Sequence, residues 1–340
     1  MTAKSRYAQA GVDISAGDQV KKRIGELVHK THTPNVLHKE GAFGGLFSMQ
    51  RLPESNPVLV SSVEGVGTKV KIAREVGSHV GIGKDLVNHC INDILTCGAR
   101  PLFFLDYFAC EKLENTIILQ VIEGMSEACR DAGIALIGGE TAQMSDVYAP
   151  GEYDLAGTIV GVVDESKILD GRNITPGDQI IALPSSGLHT NGYTLARKVL
   201  LEEAGFHLSD KPEEFSVSLG EALLEPHISY LNAFRQVESL VSIKGIAHIT
   251  GGGFEGNIPR VLPETCQAVI DTKTWTPPIL FRCIQETGKI TKEEMYQVFN
   301  MGIGIVFIVS QDDTTTLKRT WSDAIHVGEI VEGHGVKMVW

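Results

Sequence analysis

Four carboxylates in the first half of the chain stand where phosphoryl or metal chemistry would use them. Glu64 sits in the stretch VEGVGTK (63–69), directly after the apolar run VLVSS. Asp93 falls on the polar side of a helical pattern over 84–98, beside Asn88, His89 and Asn92. Asp106 lies within PLFFLDYFAC, and Glu140 follows IALIGG at once. Acids at strand ends beside glycine turns commonly hold Mg²⁺, which prefers a few carboxylates plus phosphate oxygens. Taken singly, an acid is more often a cap or a solvated charge. Asp106, among apolar neighbours, reads as a buried structural acid. Gly65, Val66, Gly67, Thr68 and Lys69 set a glycine turn and a cation between strand and helix, the local form of a phosphate-binding loop. The G-x-x-x-x-G-K-[ST] spacing of a phosphate-loop NTPase is absent.

Two further loops carry reactive residue types. SSGLHTNG (185–192) brings Ser185, Ser186, His189, Thr190 and Asn191 together before a helix. A helix cap needs one polar residue, and this loop supplies five. His248 precedes Thr250, Gly251, Gly252 and Gly253 in HITGGGFEGN. Gly251, Gly253 and Gly256 satisfy G-x-G-x-x-G, yet Pro259 and Pro263 leave no room for the long helix of a dinucleotide fold. Glycines before a short helix still suit an anion. A lone histidine is usually a satisfied structural group; His189 and His248 each sit in or beside such a loop, which strengthens the functional reading.

These residues need elements to hold them. The spacing predicts a helix over 13–30, with Val20, Ile24, Leu27 and Val28 on one side and Asp13 or Ser15 as cap. Glycine-rich EGAFGGLFSM, with Gly44 and Gly45, follows. Next come a strand over 58–63 and the helix over 84–98, where Leu86, Cys90 and Ile94 form a stripe flanked by Val87, Ile91 and Leu95. PLFFLDYFAC reads as a buried strand, NTIILQVIEGMSEACRDAG as a helix, and IALIGG and LAGTIVGVV as strands. The turn-rich DESKILDGRNITPGDQ suggests a boundary near 165–178. Beyond it lie strand IIALP, helices over YTLARKVLLEEAG and EALLEPHISYLNAF, the segment GIAHIT, helix KEEMYQVFN, strand GIVFIVS, and short strands around AIHVGEI and KMVW. The alternation predicts an α/β or α+β layered protein of two domains, 1–170 and 171–340.

The bulk properties narrow the partners. A net charge of −12 over 340 residues argues against a general nucleic-acid or membrane-surface binder. Phosphorylated ligands would have to be held by local lysines, backbone N–H groups and metal ions. The six cysteines form no CxxC pair, which favours reduced thiols in a cytosol. The opening MTAKSRYAQAGVDISAG lacks the apolar core of a signal peptide, and no run is long enough to span a bilayer.

Several long motifs, in order and at matching spacing, are similar to the phosphoribosylformylglycinamidine cyclo-ligase (AIR synthetase) family of purine biosynthesis. They include YAQAGVDISAG, GVGTK, CINDILTCGARPLFFLDYFA, LIGGETAQM, YDLAGTIVGVV, SSGLHTNGY, IAHITGGGFEGNIPRVLP and MYQVFNMGIGI. The resemblance implies a two-domain protein acting in the cytoplasm as a homodimer. N-terminal strands of both subunits would meet in a β-barrel, beside a C-terminal α/β domain. It implies formylglycinamidine ribonucleotide (FGAM) and ATP as substrates, Mg²⁺ as cofactor and K⁺ as a further candidate ion. Glu64, Asp93 and Glu140 become the candidate metal ligands. Gly44, Gly45, Gly65, Val66, Gly67, Thr68 and Lys69 join them around the nucleotide. Ser185, Ser186, His189, Asn191, His248, Thr250, Gly251, Gly252 and Gly253 face substrate, with His189 and Lys69 as catalytic candidates. The chain departs from the family's T-D-G-V-G-T-K at Val63 and Glu64, has Leu188 where proline is usual, and has Gln143 where glutamate is usual.

Overall fold

The computed structural model describes residues 14–37 and 44–340, the side chains of 14–21 excepted. The expected cap at Asp13 or Ser15, the Val20 side chain and residues 41–43 lie outside the described residues. Exposure alternates along β1 (Pro57–Gly65), sending Val58, Val60, Ser62 and Glu64 to one face and Leu59, Ser61 and Val63 to the other. β1 is the edge of a four-stranded sheet ordered β1-β4-β2-β3, with β2 at Arg100–Cys110, β3 at Ala135–Gln143 and β4 at Tyr153–Asp164. Only β2 and β3 run parallel, and such a pair needs a crossover. Helix α4 (Asn115–Ala132) supplies it. Helix α1 (Ile14–His29) lies against α4, and α3 (Val80–Leu95) buries its Leu86, Cys90 and Ile94 stripe beneath the sheet.

The crossing of α3 and α4 is unusually close and depends on two glycines. A Cβ at Gly124 would stand 1.9 Å from the Val80 carbonyl oxygen, and one at Gly83 would stand 2.0 Å from that of Val121. Both obstacles are backbone, so no rotamer change relieves them. Gly124→Ala is expected to force the helices apart and cost about 3 kcal/mol, the upper end of ordinary overpacking. Urea unfolding would read this, and a loss under about 0.5 kcal/mol would show that the helices part freely.

A second sheet begins at Gln179, fifteen residues after the last strand of the first ends at Asp164. Its order is β10-β7-β9-β5-β8-β6, built from β5 (Gln179–Pro184), β6 (Ile243–His248), β7 (Cys266–Asp271), β8 (Ile303–Val309), β9 (Ile325–Glu332) and β10 (Gly335–Val339). Only β10 and β7 are parallel. Every residue of β8 is buried, as its unbroken apolar run IGIVFIV demands. The whole is a mixed α/β protein.

Two expectations are corrected. EALLEPHISYLNAF is two short helices, α6 (Leu219–Leu224) and α7 (Leu231–Val237), because Pro226 lacks an N–H and turns the residue before it away from helical geometry. His227 lies in the break. YTLARKVLLEEAG starts as α5 (Tyr193–Arg197) and continues as a π-helical turn over Lys198–Glu203. β7, helix α9 (Ile279–Gly288) and helix α11 (Thr314–Thr320) were not expected from the pattern. The segment KEEMYQVFN holds α10 (Lys292–Val298), and α8 (Gly253–Asn257) follows the glycines after β6.

Candidate active site

Helical periodicity places Asp85, Asn88, His89, Asn92 and Asp93 on one side of α3, opposite its apolar stripe. That side faces the Pro226 break and the end of β6, so two distant parts of the chain meet over it. Asn88 Nδ2 donates to the His227 carbonyl at 2.7 Å. Asn92 Nδ2 donates to the Ile228 carbonyl at 2.8 Å, while its Oδ1 accepts from Tyr230 N–H at 2.9 Å.

At the first turn of this face lies a fully buried ion pair. Lys69, at the start of α2 (Lys69–Val76), brings Nζ within 2.8 and 2.9 Å of the two Asp85 carboxylate oxygens. The same ammonium donates to the Glu225 carbonyl at 2.8 Å and reaches that of His189 at 3.3 Å. Asp85 also accepts the His227 backbone N–H at 2.6 Å. Burial pushes Lys69 down and Asp85 up, and their mutual attraction opposes both shifts. The expectation that Lys69 meets phosphates or acts in catalysis is therefore corrected. Its charge is spent inside the protein, joining the glycine turn to α3 and to the second half of the chain.

Two turns along, Asp93 accepts from Ser62 Oγ at 2.9 Å and pairs with His248 Nδ1 at 2.9 Å. Burial alone would raise its carboxyl. The His248 hydrogen bond and charge, then His89 and Ser62, outweigh that and hold it below the ordinary value. Glu64, on the same face of β1 as Ser62, is pushed up to about 7 by burial first and by the Asp93 charge second. His89 Nδ1 is 2.8 Å from Thr190 Oγ1, and its Nε2 lies 3.9 Å from Glu64 and 4.0 Å from Asp93. Burial, then the neighbouring His248, lowers its pKa to about 4. Glu64, Ser62, Asp93 and His248 border a cavity of about 500 Å³ between the two sheets, lined also by Thr250, Asn257 and Arg260 among others.

The remaining candidates divide. Thr68 Oγ1 meets Thr194 Oγ1 at 3.1 Å, Val66 is buried, and Gly65 and Gly67 complete the turn between β1 and α2. Ser185 bonds the Gly187 carbonyl and Asn300, and Ser186 bonds the Pro226 carbonyl, so both hydroxyls serve their own loop. Asn191 lies against Gly251. Thr250 bonds Asn257, whose Nδ2 also reaches the Gly251 and Gly253 carbonyls and ties down the glycine loop. Gly252 and Gly253 have φ of 93° and 58°, and a Cβ at Gly253 would meet the Tyr296 carbonyl oxygen at 1.7 Å. No other residue fits there.

Three placements differ from expectation. His189 is buried with φ of 60°, its ring stacked 3.8 Å from that of His227, and it does not line the cavity. Its ring packs against His227 rather than on the cavity. Glu140 is exposed, and the pairings Glu64–Gly157–Asp106–Gly139 put its strand three spacings, about 14 Å, from Glu64. One chain thus brings Glu64 and Asp93 together and leaves Glu140 apart. Gly45 sits against Ile137 of β3, on Glu140's side, with Gly44 exposed beside it. Asp106 is pushed up to about 7 by burial. The site residues not anticipated are Asp85, His227, Asn257 and Arg260. His227 had no signal while its segment read as continuous helix; the Glu-Pro pair before it was the available clue.

The family described as AIR synthase related protein matches both halves, its N-terminal domain over 47–163 and its C-terminal domain over 175–340. A phosphoribosylformylglycinamidine cyclo-ligase of Myxococcus xanthus (strain DK1622) is 46% identical over 333 residues, covering 97% of this chain and 96% of the relative. Another, from Nitratidesulfovibrio vulgaris, is 51% identical over 306 residues, covering 90% and 87%. Among solved structures, E. coli HypE superposes with a TM-score of 0.70 at 18% identity, covering 95% of this chain and 94% of that one, a likeness of fold. With both halves matched and such relatives aligned along nearly its whole length, the chain belongs to the AIR synthase family.

Proposed function

We propose that this chain is an ATP-dependent cyclo-ligase that converts FGAM to aminoimidazole ribonucleotide (AIR) with release of ADP and phosphate. The observation that carries the reading is the cavity between the sheets. It is lined by the carboxylates of Glu64 and Asp93 together with His248, Thr250 and Arg260. Such a cleft suits a phosphorylated substrate beside a metal-bound triphosphate.

In the proposed reaction the formyl amide oxygen attacks the γ-phosphorus, and the phosphorus–oxygen bond to ADP breaks. The neighbouring amidine nitrogen then adds to the activated carbon and loses its proton, and the carbon–oxygen bond breaks to release phosphate as the five-membered ring closes. Phosphorylation makes a leaving group of an oxygen that would otherwise depart as oxide. The protein's share is positioning and charge neutralisation. The acid pair fits a divalent cation. Two carboxylates stand side by side, and burial first, then the Asp93 charge, lifts Glu64 to about 7. Glu64 and Asp93 would hold Mg²⁺, which when bound neutralises phosphate oxygens.

The homodimer reading is supported by Leu59, Val63 and Tyr107, large apolar or aromatic side chains exposed on the outward side of the first sheet. Closing that face against a second copy would form the barrel. Glu140 would join a nucleotide site only across such an interface. No helix among the described residues is long and apolar enough to cross a membrane, and the six cysteines are free, which suits a reducing cytoplasm.

Incubating the protein with FGAM, ATP and Mg²⁺ tests the reading, with AIR, ADP and phosphate expected in equal amounts. ADP without AIR would point to a small-molecule kinase of the same fold. Tight ATP binding without turnover would point to a non-catalytic homologue.

A further inference from the structure

We propose that Arg260 recognises the ribose phosphate monoester of the nucleotide substrate, and so selects the ribonucleotide over the free riboside. Arg260 is the only lysine or arginine among the residues lining the cavity that holds Glu64 and Asp93. Among the described residues its one hydrogen bond runs from Nε to the Gly256 carbonyl at 3.1 Å. No carboxylate among those residues lies within ion-pair distance of it. The terminal nitrogens of the guanidinium therefore keep their N–H groups for a ligand.

The local chain holds this group in place. Arg260 closes a single 3-10 turn, Ile258–Arg260, in which Pro259 fixes its own φ. The Val261 N–H returns to the Ile258 carbonyl at 3.2 Å. Buried Asn257 and Ile258 anchor the turn, and Asn257 Nδ2 ties it to the glycine loop through the Thr250, Gly251 and Gly253 carbonyls. With Nε pinned as well, the guanidinium has little freedom left to lose on binding. Its planar fork suits two oxygens of one phosphate, the bidentate contact that favours arginine over lysine.

Charge decides which phosphate it takes. In the proposed reaction the cavity receives two phosphorylated molecules. The triphosphate comes with the divalent ion that Glu64 and Asp93 would hold. The monoester, with a charge of about −1.5 to −2 at neutral pH, brings no cation of its own. Most other polar groups of the lining are committed. Ser62 and His248 bond Asp93, Thr250 bonds Asn257, and Asp170 pairs with Arg172. In a chain of net charge −12, Arg260 is the lining residue left to offset the monoester.

This inference deepens the proposed function and rests on its reading of the cavity as the substrate site. The test compares FGAM with its dephosphorylated riboside, in the wild-type protein and in Arg260→Met. For FGAM the substitution should raise KM at least about twentyfold, while KM for ATP changes less than about twofold. For the riboside, which lacks the group Arg260 would hold, kcat/KM should differ less than about twofold between the two proteins. Should the riboside not turn over at all, the split between the two KM values decides. Arg260→Lys keeps the charge, gives up the fork and should recover only part of the loss. Arg260 is exposed, so both variants should fold, as circular dichroism would show. A rise confined to KM for ATP would give Arg260 to the nucleotide, and equal losses on FGAM and riboside would reduce it to shaping its loop. Either result overturns the inference. Calorimetric titration of FGAM into the ATP-free protein separates it from the functional reading. Cyclisation of FGAM that survives Arg260→Met unchanged sinks this inference alone; Arg260-dependent binding of FGAM without cyclisation sinks the functional reading alone.

Discussion

Replacing Asp85 by alanine is expected to cost about 3–5 kcal/mol of folding stability, the range for breaking a buried ion pair by removing one partner. Lys69 would keep a charge on a side chain with no solvent exposure, held by the Glu225 and His189 carbonyls and the face of the Tyr193 ring 5.6 Å away. The His227 N–H would lose the acceptor it reaches at 2.6 Å. Against a typical stability of about 5–15 kcal/mol the loss is large. Adding Lys69→Met should recover much of it, because the uncompensated charge is then gone and an apolar pair can pack in its place. Urea unfolding of both single variants and the double variant reads the coupling. A cost under about 1 kcal/mol for Asp85→Ala would mean that Lys69 sheds its proton or its burial cheaply, and the interior tie would lose its importance.

Asp93→Asn is expected to reduce kcat/KM for cyclisation at least about a hundredfold, close to 3 kcal/mol of transition-state stabilisation. The substitution keeps the shape and an oxygen that accepts from Ser62, so stability should change by less than about 1 kcal/mol. The side chain's partial exposure, 24%, limits the cost further. The separation of the two effects is the point: activity falls while the unfolding curve stays nearly in place. Steady-state kinetics at saturating Mg²⁺ beside a urea titration would show it. Near-normal turnover in a folded Asp93→Asn protein would remove Asp93 from the proposed chemistry.

Much of this protein was legible locally. A strand, a glycine turn and a helix around Glu64, the apolar stripe of α3 with His89 and Asp93 opposite it, and the glycines after β6 are short-range patterns. They are set by side-chain periodicity and by backbone conformations few residues adopt. The long motifs carried the family. Where each polar group ends up was another matter. Lys69 leaves its turn at a point from which an outward reach to ligand and an inward one were both open. What decided it was Asp85, sixteen positions on, and Glu225, 156 positions on. His227 gains its place against Asn92 from a contact spanning 135 positions. Periodicity names the face a residue occupies, while depth and partners come from packing between segments far apart in sequence. For that reason the sequence alone determined the family, the alternation of elements and the acids worth watching. Only the tertiary structure set Glu64 and Asp93 beside two histidines, left Glu140 about 14 Å away along the sheet, and turned Lys69 from a phosphate ligand into an interior brace.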